Sequence, residues 1–420
     1  MQIFRSIDKK KECVILNGLL LNFNTFILNK IPLFNYMTRN LNKNTAGNYT
    51  YQSFKEGYRS VTPSLINRSF EWQDKQINIL LERAMLELGE LNAFSKFFPN
   101  INRYIPLFIA QEAVASNMIE GSKCSLSQAF VPENSKSFKR IYEQKEITNH
   151  IAAIKWGVKE LRRFPLSIRL VKESHRILCS DLPQLEDFGG KIRPFVNSKD
   201  NKFDVGFKYS PPNKHELKIL INDAKKFWRN DNLELPLLIK MAISLYQFEN
   251  ILPFLDGNGR TARTLILFEM MELSFVHKPV FCLSVFFERN RLEYYHRLNL
   301  IRSKNDIEQW IRFFLTGIKE SARYSKEILG NINSMVERNE KLIEEHMGKK
   351  RHQSAKQLIT EFYSSPFLSV NDIKEKLGLS FQSANLLIKE LEKFGLVKEL
   401  VGARRNRLFY LWEYLQLFEL

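Results

Sequence analysis

Residues 246–263, YQFENILPFLDGNGRTAR, constrain this chain more than any other stretch. The tetrapeptide DGNG at 256–259 predicts a tight turn that runs directly into a helix, because glycines let the backbone turn and approach a ligand closely. Unpaired N–H groups at the start of that helix form an anion-binding hole, which the helix dipole strengthens. Arg260 and Arg263 lie on one helix face. Two guanidinium groups beside an anion hole suit a polyphosphate.

Asp256 stands at the rim of this turn. Its carboxylate is a hard oxygen ligand of the kind that holds Mg²⁺ bound through phosphates. The alternative is structural: an Asx-Gly turn that caps a helix bearing two surface arginines. The two arginines, together with the aromatic and acidic residues before the turn, favour the phosphate site.

The same segment resembles the signature of the Fic family, His-x-Phe-x-Asp/Glu-Gly-Asn-Gly-Arg-x-x-Arg, which reads LPFLDGNGRTAR at 252–263. Residues 246–249 resemble the family's lead-in helix, residues 283–298 and 308–318 resemble its later helices, and residues 190–212 resemble its flap. The fold implied by the resemblance is mostly α: a Fic-type helical domain with a short β-hairpin flap, plus a C-terminal winged helix-turn-helix.

The resemblance also implies which residues form the site. The catalytic positions would be Leu252, Asp256, Asn258, Arg260 and Arg263, with Asp256 as the metal ligand. The nucleotide-binding residues would be Gly257, Asn258, Gly259, Arg260, Arg263, Tyr294 and Tyr295. The flap residues would be Gly206, Phe207, Lys208 and Tyr209, beside which the backbone of a target protein is expected to add as a strand.

Leu252 departs from the family signature, which has histidine at this position. In Fic proteins that histidine is the general base that deprotonates the target hydroxyl, which then attacks the α-phosphate of ATP. Leucine neither accepts nor donates a proton, and loss of a general base typically costs roughly 10²–10⁴-fold in rate. Leu245 stands where many relatives carry another histidine. None of the seven histidines lies in the loop, and His175, in a helical SHRIL pattern, is interpreted as a packing residue.

A second motif, SNMIEG at 116–121, resembles the family's inhibitory helix, Ser/Thr-x-x-x-Glu-Gly/Asn. The residues that match this motif are Ser116, Glu120 and Gly121. The resemblance implies that Glu120 pairs with Arg263, the arginine that otherwise holds the γ-phosphate. A carboxylate that satisfies this guanidinium would keep ATP from settling with its α-phosphate in line. The alternative is a helix that ends at Gly121 and carries an incidental glutamate.

Hydrophobic periodicity predicts helices along most of the chain. The helical patterns lie at 70–90, 104–118, 143–162, 166–180, 214–229, 235–250, 259–273, 288–302 and 306–346. Gly, Pro and Asn punctuate 187–213, which predicts a hairpin or flap. The predicted regions are an extension outside the fold at 1–36, a helical region with the inhibitory helix at 37–130, a Fic core at 131–346 and a winged helix at 353–420.

The C-terminal segment has the order of a winged helix-turn-helix: a short helix, a tight turn, a longer helix and two extended pieces. Its longer helix offers Gln382, Ser383 and Asn385 to base edges and Lys389 and Lys393 to phosphates, and its wing carries Arg404, Arg405 and Arg407. DNA is therefore one candidate partner. A protein-interaction or dimerisation module is the other, because a fold alone does not fix function.

The chain carries 63 Lys and Arg against 46 Asp and Glu, a net charge of +17, which favours anionic partners or a solvated basic surface. An apolar segment at 13–28 is interrupted by asparagines and lacks a cleavage site, so a secretory signal is disfavoured and a cytoplasmic location is expected. Four scattered cysteines agree with a reducing compartment. No membrane partner is expected, since no apolar run is long enough to span a bilayer.

These motifs are compatible with three functions. The first is a Fic-type protein adenylyltransferase lineage that binds ATP and Mg²⁺, is inhibited by Glu120 and has impaired AMP transfer because of Leu252. The second is a non-catalytic nucleotide sensor that acts through the winged helix on DNA or a protein. The third, a toxin–antitoxin-like or structural remnant, is disfavoured by the retained Asp256, Arg260 and Arg263. The partners expected are a target protein at the flap and, as candidates, DNA and a second copy of the chain.

Overall fold

A computed structural model describes residues 47–52, 58–130, 138–183, 185–194, 211–400 and 407–419. Residues 46–420 form one compact unit. The predicted extension at 1–36 lies outside the described residues, and so do the flap positions 206–209.

The described residues are mostly helical, as predicted. The helices of the N-terminal half are α1 (Lys75–Phe97), α2 (Ile105–Ile119), α3 (Leu126–Ala129), α4 (Phe138–Glu160), α5 (Ile168–Leu178) and α6 (Lys214–Trp228). Those that follow are α7 (Leu237–Ile251), α8 (Asn258–Glu272), α9 (Leu283–Arg289), α10 (Arg291–Lys304) and α11 (Ile307–His346). The C-terminal helices are α12 (Lys349–Ser364), α13 (Val370–Leu377), α14 (Phe381–Lys393) and α15 (Trp412–Gln416).

Local sequence signals set several helix starts. The Asn213 side chain accepts hydrogen bonds from the first turn of α6 while Glu216 reaches back to the Asn213 N–H, which is a capping box. Asp306 caps α11 by accepting from Gln309 N. The 40-residue α11 buries one face along its length, with Trp310 and Phe314 fully enclosed. This long helix packs its buried face against α1, α7, α9 and α10.

Several elements differ from the sequence prediction: the helix α12 was not predicted, residues 412–414 are helical rather than extended, and two further differences lie earlier in the chain. The pattern at 288–302 belongs to two helices, α9 and α10, which are separated at Asn290. The region predicted as helical from residue 37 contains an antiparallel hairpin of β1 (Gly47–Gln52) and β2 (Tyr58–Pro63), paired from Gly47↔Pro63 to Gln52↔Tyr58. Its tyrosines, threonines and valine are typical strand residues, and this signal was missed.

The C-terminal region has a small antiparallel sheet of β3 (Leu368–Ser369), β4 (Val397–Glu399) and β5 (Leu408–Leu411), in the order β3-β5-β4. Helices α13 and α14 lie between β3 and β4 in the chain, which is the order expected of a winged helix. Arg404 and Arg405 at the predicted wing lie outside the described residues, and the winged helix stays a prediction.

The C-terminal region packs directly on α2. Phe108 and Phe418 meet edge to face with ring centroids 4.9 Å apart, and Gln111 Nε2 donates to the Phe418 carbonyl at 2.9 Å. Tyr104, just before α2, contacts the rings of Tyr363 and Tyr414. Among the described residues, none of the helices combines the length and apolarity that a bilayer crossing requires.

Candidate functional site: a loop with two buried arginines

The loop between α7 and α8 is closed by its own side chains. Asn258 accepts a hydrogen bond from Phe254 N at 2.8 Å and donates to Phe254 O at 2.9 Å. Gly257 has a φ of +70°, and an added Cβ there would lie 2.7 Å from Leu178 Cδ2, so only glycine fits. Leu252, which ends α7, is also left-handed, with φ 42° and ψ 67°.

His175 of α5 supports this loop from below. Its ring stacks on Phe254 with centroids 3.8 Å apart. Nδ1 accepts from Gly190 N at 2.8 Å, so Nε2 carries the proton and donates to the Asp256 carbonyl, also at 2.8 Å. Burial lowers the pKa of His175 to about 4, which keeps the ring neutral. The histidine therefore positions the loop, in line with its interpretation as a packing residue.

Arg263 is fully enclosed and joins α8 to α2. Its Nε donates to Ser116 Oγ at 2.9 Å and its Nη2 donates to the Ser116 carbonyl at 2.9 Å and to Glu120 Oε1 at 2.8 Å. Burial lowers the pKa of Arg263, but the attractions to Glu120, Glu249 and the two tyrosines Tyr294 and Tyr295 together outweigh burial and leave that pKa raised. The predicted pairing of Glu120 with Arg263 is thus present in the structure.

The Glu120 carboxylate lies directly over the start of α8. A Cβ added to Gly259 would overlap Glu120 Oε1, so nothing separates the carboxylate from the first turn of the helix. Gly121, which follows at φ +99°, allows the chain to leave α2 at this point. A carboxylate that belongs to the chain itself therefore lies beside the first turn of the helix whose start was predicted to bind an anion.

Arg260 is the second buried arginine of the loop. Its Nη1 donates to Glu146 Oε1 at 2.6 Å and to Asn117 Oδ1 at 3.3 Å, and Asp256 Oδ1 lies 3.8 Å from Nη2. Its Nε is buried and has no hydrogen-bond partner among the described residues. A buried donor of this kind can still donate to an anionic oxygen of a ligand.

Glu249 of α7 closes the inner side of the arginine pair. It is buried, lies 3.7 Å from Arg263 Nη1 and accepts from Tyr294 Oη at 2.8 Å. Burial raises the pKa of Glu249, with Arg263 opposing. Tyr294 is thus enclosed in the core, while Tyr295 donates to the Ile119 carbonyl at 3.2 Å, at the end of α2.

Comparison with known proteins agrees with this geometry. Residues 79–159 match the Fic/DOC family N-terminal domain, and residues 165–270 match the Fic/DOC family domain, which contains the loop and both arginines. The chain is a Fic family protein. The Fic domain match extends from α5 into α8, and the N-terminal domain match includes α2.

Two relatives are both called protein adenylyltransferase Fic. The one from Drosophila erecta is 27% identical over 200 residues, which cover 46% of this chain and 37% of the relative. The one from Drosophila virilis is 28% identical over 247 residues, which cover 56% of this chain and 47% of the relative. The chain therefore matches less than half the length of these two relatives.

A solved structure shares the fold. A Fic family protein from Desulfovibrio desulfuricans G20 superimposes with a TM-score of 0.51 at 18% sequence identity, over 82% of this chain and 98% of that one. At this sequence identity the similarity concerns the fold alone.

The structure brings most of the predicted Fic site together. Loop residues 256–259, both arginines and Glu120 lie in one cluster, and Leu252 is buried at the end of α7. Leu245 is fully buried. The flap residues Gly206, Phe207, Lys208 and Tyr209 lie outside the described residues. The described residues on either side of 195–210 do contact each other, because Arg193 Nη2 donates to the Pro212 carbonyl at 2.6 Å.

The residues that support this Fic site were not predicted from the sequence. Glu146 and Asn117 hold Arg260. His150 receives a hydrogen bond from Asn117 at Nδ1 and donates to Thr264 Oγ1 at 2.7 Å, which links α2, α4 and α8. Burial keeps the pKa of His150 well below its ordinary value. The available signal was an asparagine and a histidine placed within otherwise apolar helix faces.

Proposed function

We propose that this Fic protein binds ATP with Mg²⁺ in the loop between α7 and α8, is inhibited by Glu120, and transfers AMP to protein hydroxyls only slowly because Leu252 replaces the base. The observation that carries this proposal is the contact of the Glu120 carboxylate with both Arg263 and the first turn of α8. The names of the adenylyltransferase relatives support ATP as the substrate.

Inhibition follows from competition for one guanidinium. Arg263 donates to Ser116 and Glu120, so a phosphate oxygen that needs the same N–H groups must displace the carboxylate. A second anion placed beside Glu120 would also be repelled. Weak nucleotide binding by the unmodified chain is therefore expected.

The metal would be held through the nucleotide. Asp256 is 41% exposed at the loop rim and is a hard oxygen donor, which fits Mg²⁺ that takes one carboxylate and the phosphates of its ligand. Within the described part of the chain, no three acidic, histidine or cysteine side chains gather into a metal cluster. One carboxylate plus phosphates is thus the arrangement that the donor set supports. When bound, Mg²⁺ would neutralise phosphate charge.

The transfer step would be limited by proton removal. The Leu252 side chain has no proton acceptor. The Glu249 carboxylate, which is buried beside Arg263, already accepts a hydrogen bond from Tyr294. The left-handed backbone at Leu252 is more favourable for histidine than for most side chains. The loop therefore keeps a backbone position that a histidine can adopt.

Isothermal titration calorimetry with ATP and Mg²⁺ tests the inhibition. Glu120→Gly should bind more tightly than the wild type by about 1.5–3 kcal/mol, which is roughly tenfold or more, because the charged hydrogen bond to Arg263 is removed. Glu345→Gly is the matched control, since Glu345 is exposed near the end of α11 and lies far from the loop in the chain. Equal ATP affinity for wild type and Glu120→Gly would contradict the proposal.

Mass spectrometry of modified proteins in a lysate with ATP and Mg²⁺ tests the missing base. In a Glu120→Gly background, Leu252→His should raise AMP transfer by roughly 10²–10⁴-fold. Leu252→Asn is the control, because asparagine also tolerates the left-handed backbone but does not act as a base. An equal gain from both variants would assign the effect to the backbone and would contradict the role given to Leu252.

A nucleotide-sensing regulator is the second candidate. The observation that favours it is the packing of the C-terminal region on α2, the helix that carries Glu120. In that case ATP binding would change the conformation of the C-terminal region. The double variant with Glu120→Gly and Leu252→His would then bind ATP without transferring AMP. DNA and a protein remain the two proposed partners of that region.

A further inference from the structure

A cavity of about 280 Å³ lies at the opposite ends of α7 and α8 from the nucleotide loop. Its walls are the apolar side chains of Leu166, Trp228, Leu237 and Met241. Its innermost lining includes the buried Ser244 and Glu269. The volume is near the lower end of small-molecule sites, which are typically apolar with a few placed polar groups.

Glu269 is an unusual residue in this position. It is 6% exposed and lies in an apolar run of α8 between the buried Phe268 and Met270. Its Oε1 accepts a hydrogen bond from Ser244 Oγ at 3.1 Å, and Ser244 in turn accepts from Trp228 Nε1 at 2.7 Å. The other oxygen, Oε2, is buried and has no partner among the described residues. An unpaired buried carboxyl oxygen is costly unless something binds to it.

The charged groups around the cavity leave this oxygen unpaired. Lys240 directs its Nζ to the carbonyls of Trp228 and Asn230, at 3.2 and 3.3 Å. Glu272, on the exposed rim, accepts from Leu166 N at 2.6 Å. The remaining rim charges are those of Arg229 and Asp231. The lining therefore holds three acidic and two basic side chains, and of the acidic ones Glu269 belongs to the innermost lining.

We propose that this cavity binds a small organic ammonium ion with an apolar body, whose nitrogen donates to Glu269 Oε2 while its body packs between Trp228 and Met241. The site is independent of the proposed function, because its residues do not contact the loop at 256–259.

Binding would be accompanied by proton release. Burial raises the pKa of Glu269 to about 8, with Ser244 and Lys240 opposing and Glu272 adding to the rise, so the carboxyl is mostly protonated at pH 7. An ammonium ion at Oε2 favours the ionised form. The O–H proton of Glu269 then passes to the buffer, and the ammonium takes its place as the partner of that oxygen.

Calorimetry with 2-phenylethylamine and with its neutral analogue 2-phenylethanol tests the proposal on the full chain. At pH 7 the amine should bind at least tenfold more tightly than the alcohol. Its heat of binding should differ between phosphate and Tris buffers by an amount that corresponds to nearly one proton released.

The Glu269→Gln variant keeps the shape of the side chain. It should weaken amine binding at least tenfold, remove the buffer dependence and leave the alcohol unaffected, whereas Glu272→Gln on the rim should change amine affinity less than threefold. Leu237→Trp, at a wall residue that is 41% exposed, should block both probes and provides a second variant if Glu269→Gln does not fold. Absence of amine binding, or equal binding of amine and alcohol, would overturn the proposal. ATP takes no part in these titrations, so they stand apart from the test of Glu120.

Discussion

At the scale of single residues, the loop between α7 and α8 depends on side chains that perform no chemistry. His175 receives the N–H of Gly190 and donates to the carbonyl of Asp256, and it can do both only as a neutral ring. The stacking of that ring on Phe254 places the histidine beneath the turn. Protonation would remove the acceptor for Gly190, so the shape of the loop is tied to the neutral form.

Acidification should therefore destabilise the fold through His175. Its pKa is about 4 in the folded chain against an ordinary value of 6.5, so between these values the unfolded chain binds more protons and stability falls as the pH falls. From pH 7 to pH 5 this residue should cost about 2 kcal/mol. Urea unfolding of wild type and His175→Gln at both pH values would measure it. A wild-type loss no larger than that of the variant would contradict the assignment.

Gly259 offers a test of where Glu120 lies. In the wild type, Gly259→Ala should destabilise the chain, because the new Cβ would meet the Glu120 carboxylate and Arg263. In a Glu120→Gly background the same change should be much less costly, since alanine is favoured over glycine in a helix by roughly 1 kcal/mol. A double-mutant cycle from thermal unfolding should give a coupling of about 1–3 kcal/mol. A coupling near zero would place the carboxylate elsewhere.

At the scale of elements, Arg193 fastens the chain at the start of the predicted flap to the end of α7. It is 1% exposed, and its guanidinium donates to the carbonyls of Leu252, Pro212 and Ile251 at 2.7, 2.6 and 3.2 Å. Its backbone N–H donates to the Pro253 carbonyl at 3.0 Å. One side chain thus satisfies carbonyl groups from two segments that are distant in the chain.

Arg193→Met should be strongly destabilising because it leaves these carbonyls without donors. Charged hydrogen bonds of this kind contribute about 1.5–3 kcal/mol each in favourable cases, so we expect a loss of at least about 3 kcal/mol. Arg193→Lys should recover part of it, since an ammonium supplies some of the donors. Thermal unfolding of the three proteins would rank them, and a methionine variant as stable as the lysine variant would contradict this account.

Many of the helices and the loop between α7 and α8 could be predicted from the sequence alone. Helices such as α6 and α11 follow from their apolar period and their capping residues, and the turn into α8 follows from its glycines and arginines. The hairpin β1–β2 was not predicted because its strands are only six residues each, so that their strand-type residues give a weak periodic signal. The role of Arg193 could not be predicted, because its partners are carbonyl groups, which every residue has. The same holds for Glu269, whose importance depends on a cavity between segments distant in the chain.

At the scale of the whole molecule, α2 is covered on two sides by distant parts of the chain. Glu120 and Ser116 face α8, while Phe108 and Gln111 contact Phe418. The buried residues of the C-terminal region belong to the same hydrophobic cluster as those of the helical core. The two regions are therefore expected to unfold together.

Hydrogen exchange can measure this cooperativity. Peptides from α11 and α14 should show the same opening free energy in the wild type, to within about 1 kcal/mol. Phe418→Ala should cost roughly 3–5 kcal/mol and should lower the protection of α14 more than that of α11. Independent protection of the two helices in the wild type would contradict a shared core.

The position of α2 between these contacts also has a consequence for synthesis on the ribosome. Chains emerge and fold from the N-terminal side, so Glu120 and Arg263 can meet once α8 has left the exit tunnel. At that moment Phe108 still lacks the ring of Phe418, which lies nearly 150 residues beyond the end of α8 in the chain. The growing chain thus carries an apolar surface on the helix that leads to Glu120, and chaperones that hold nascent chains would find it there until residue 418 has been made.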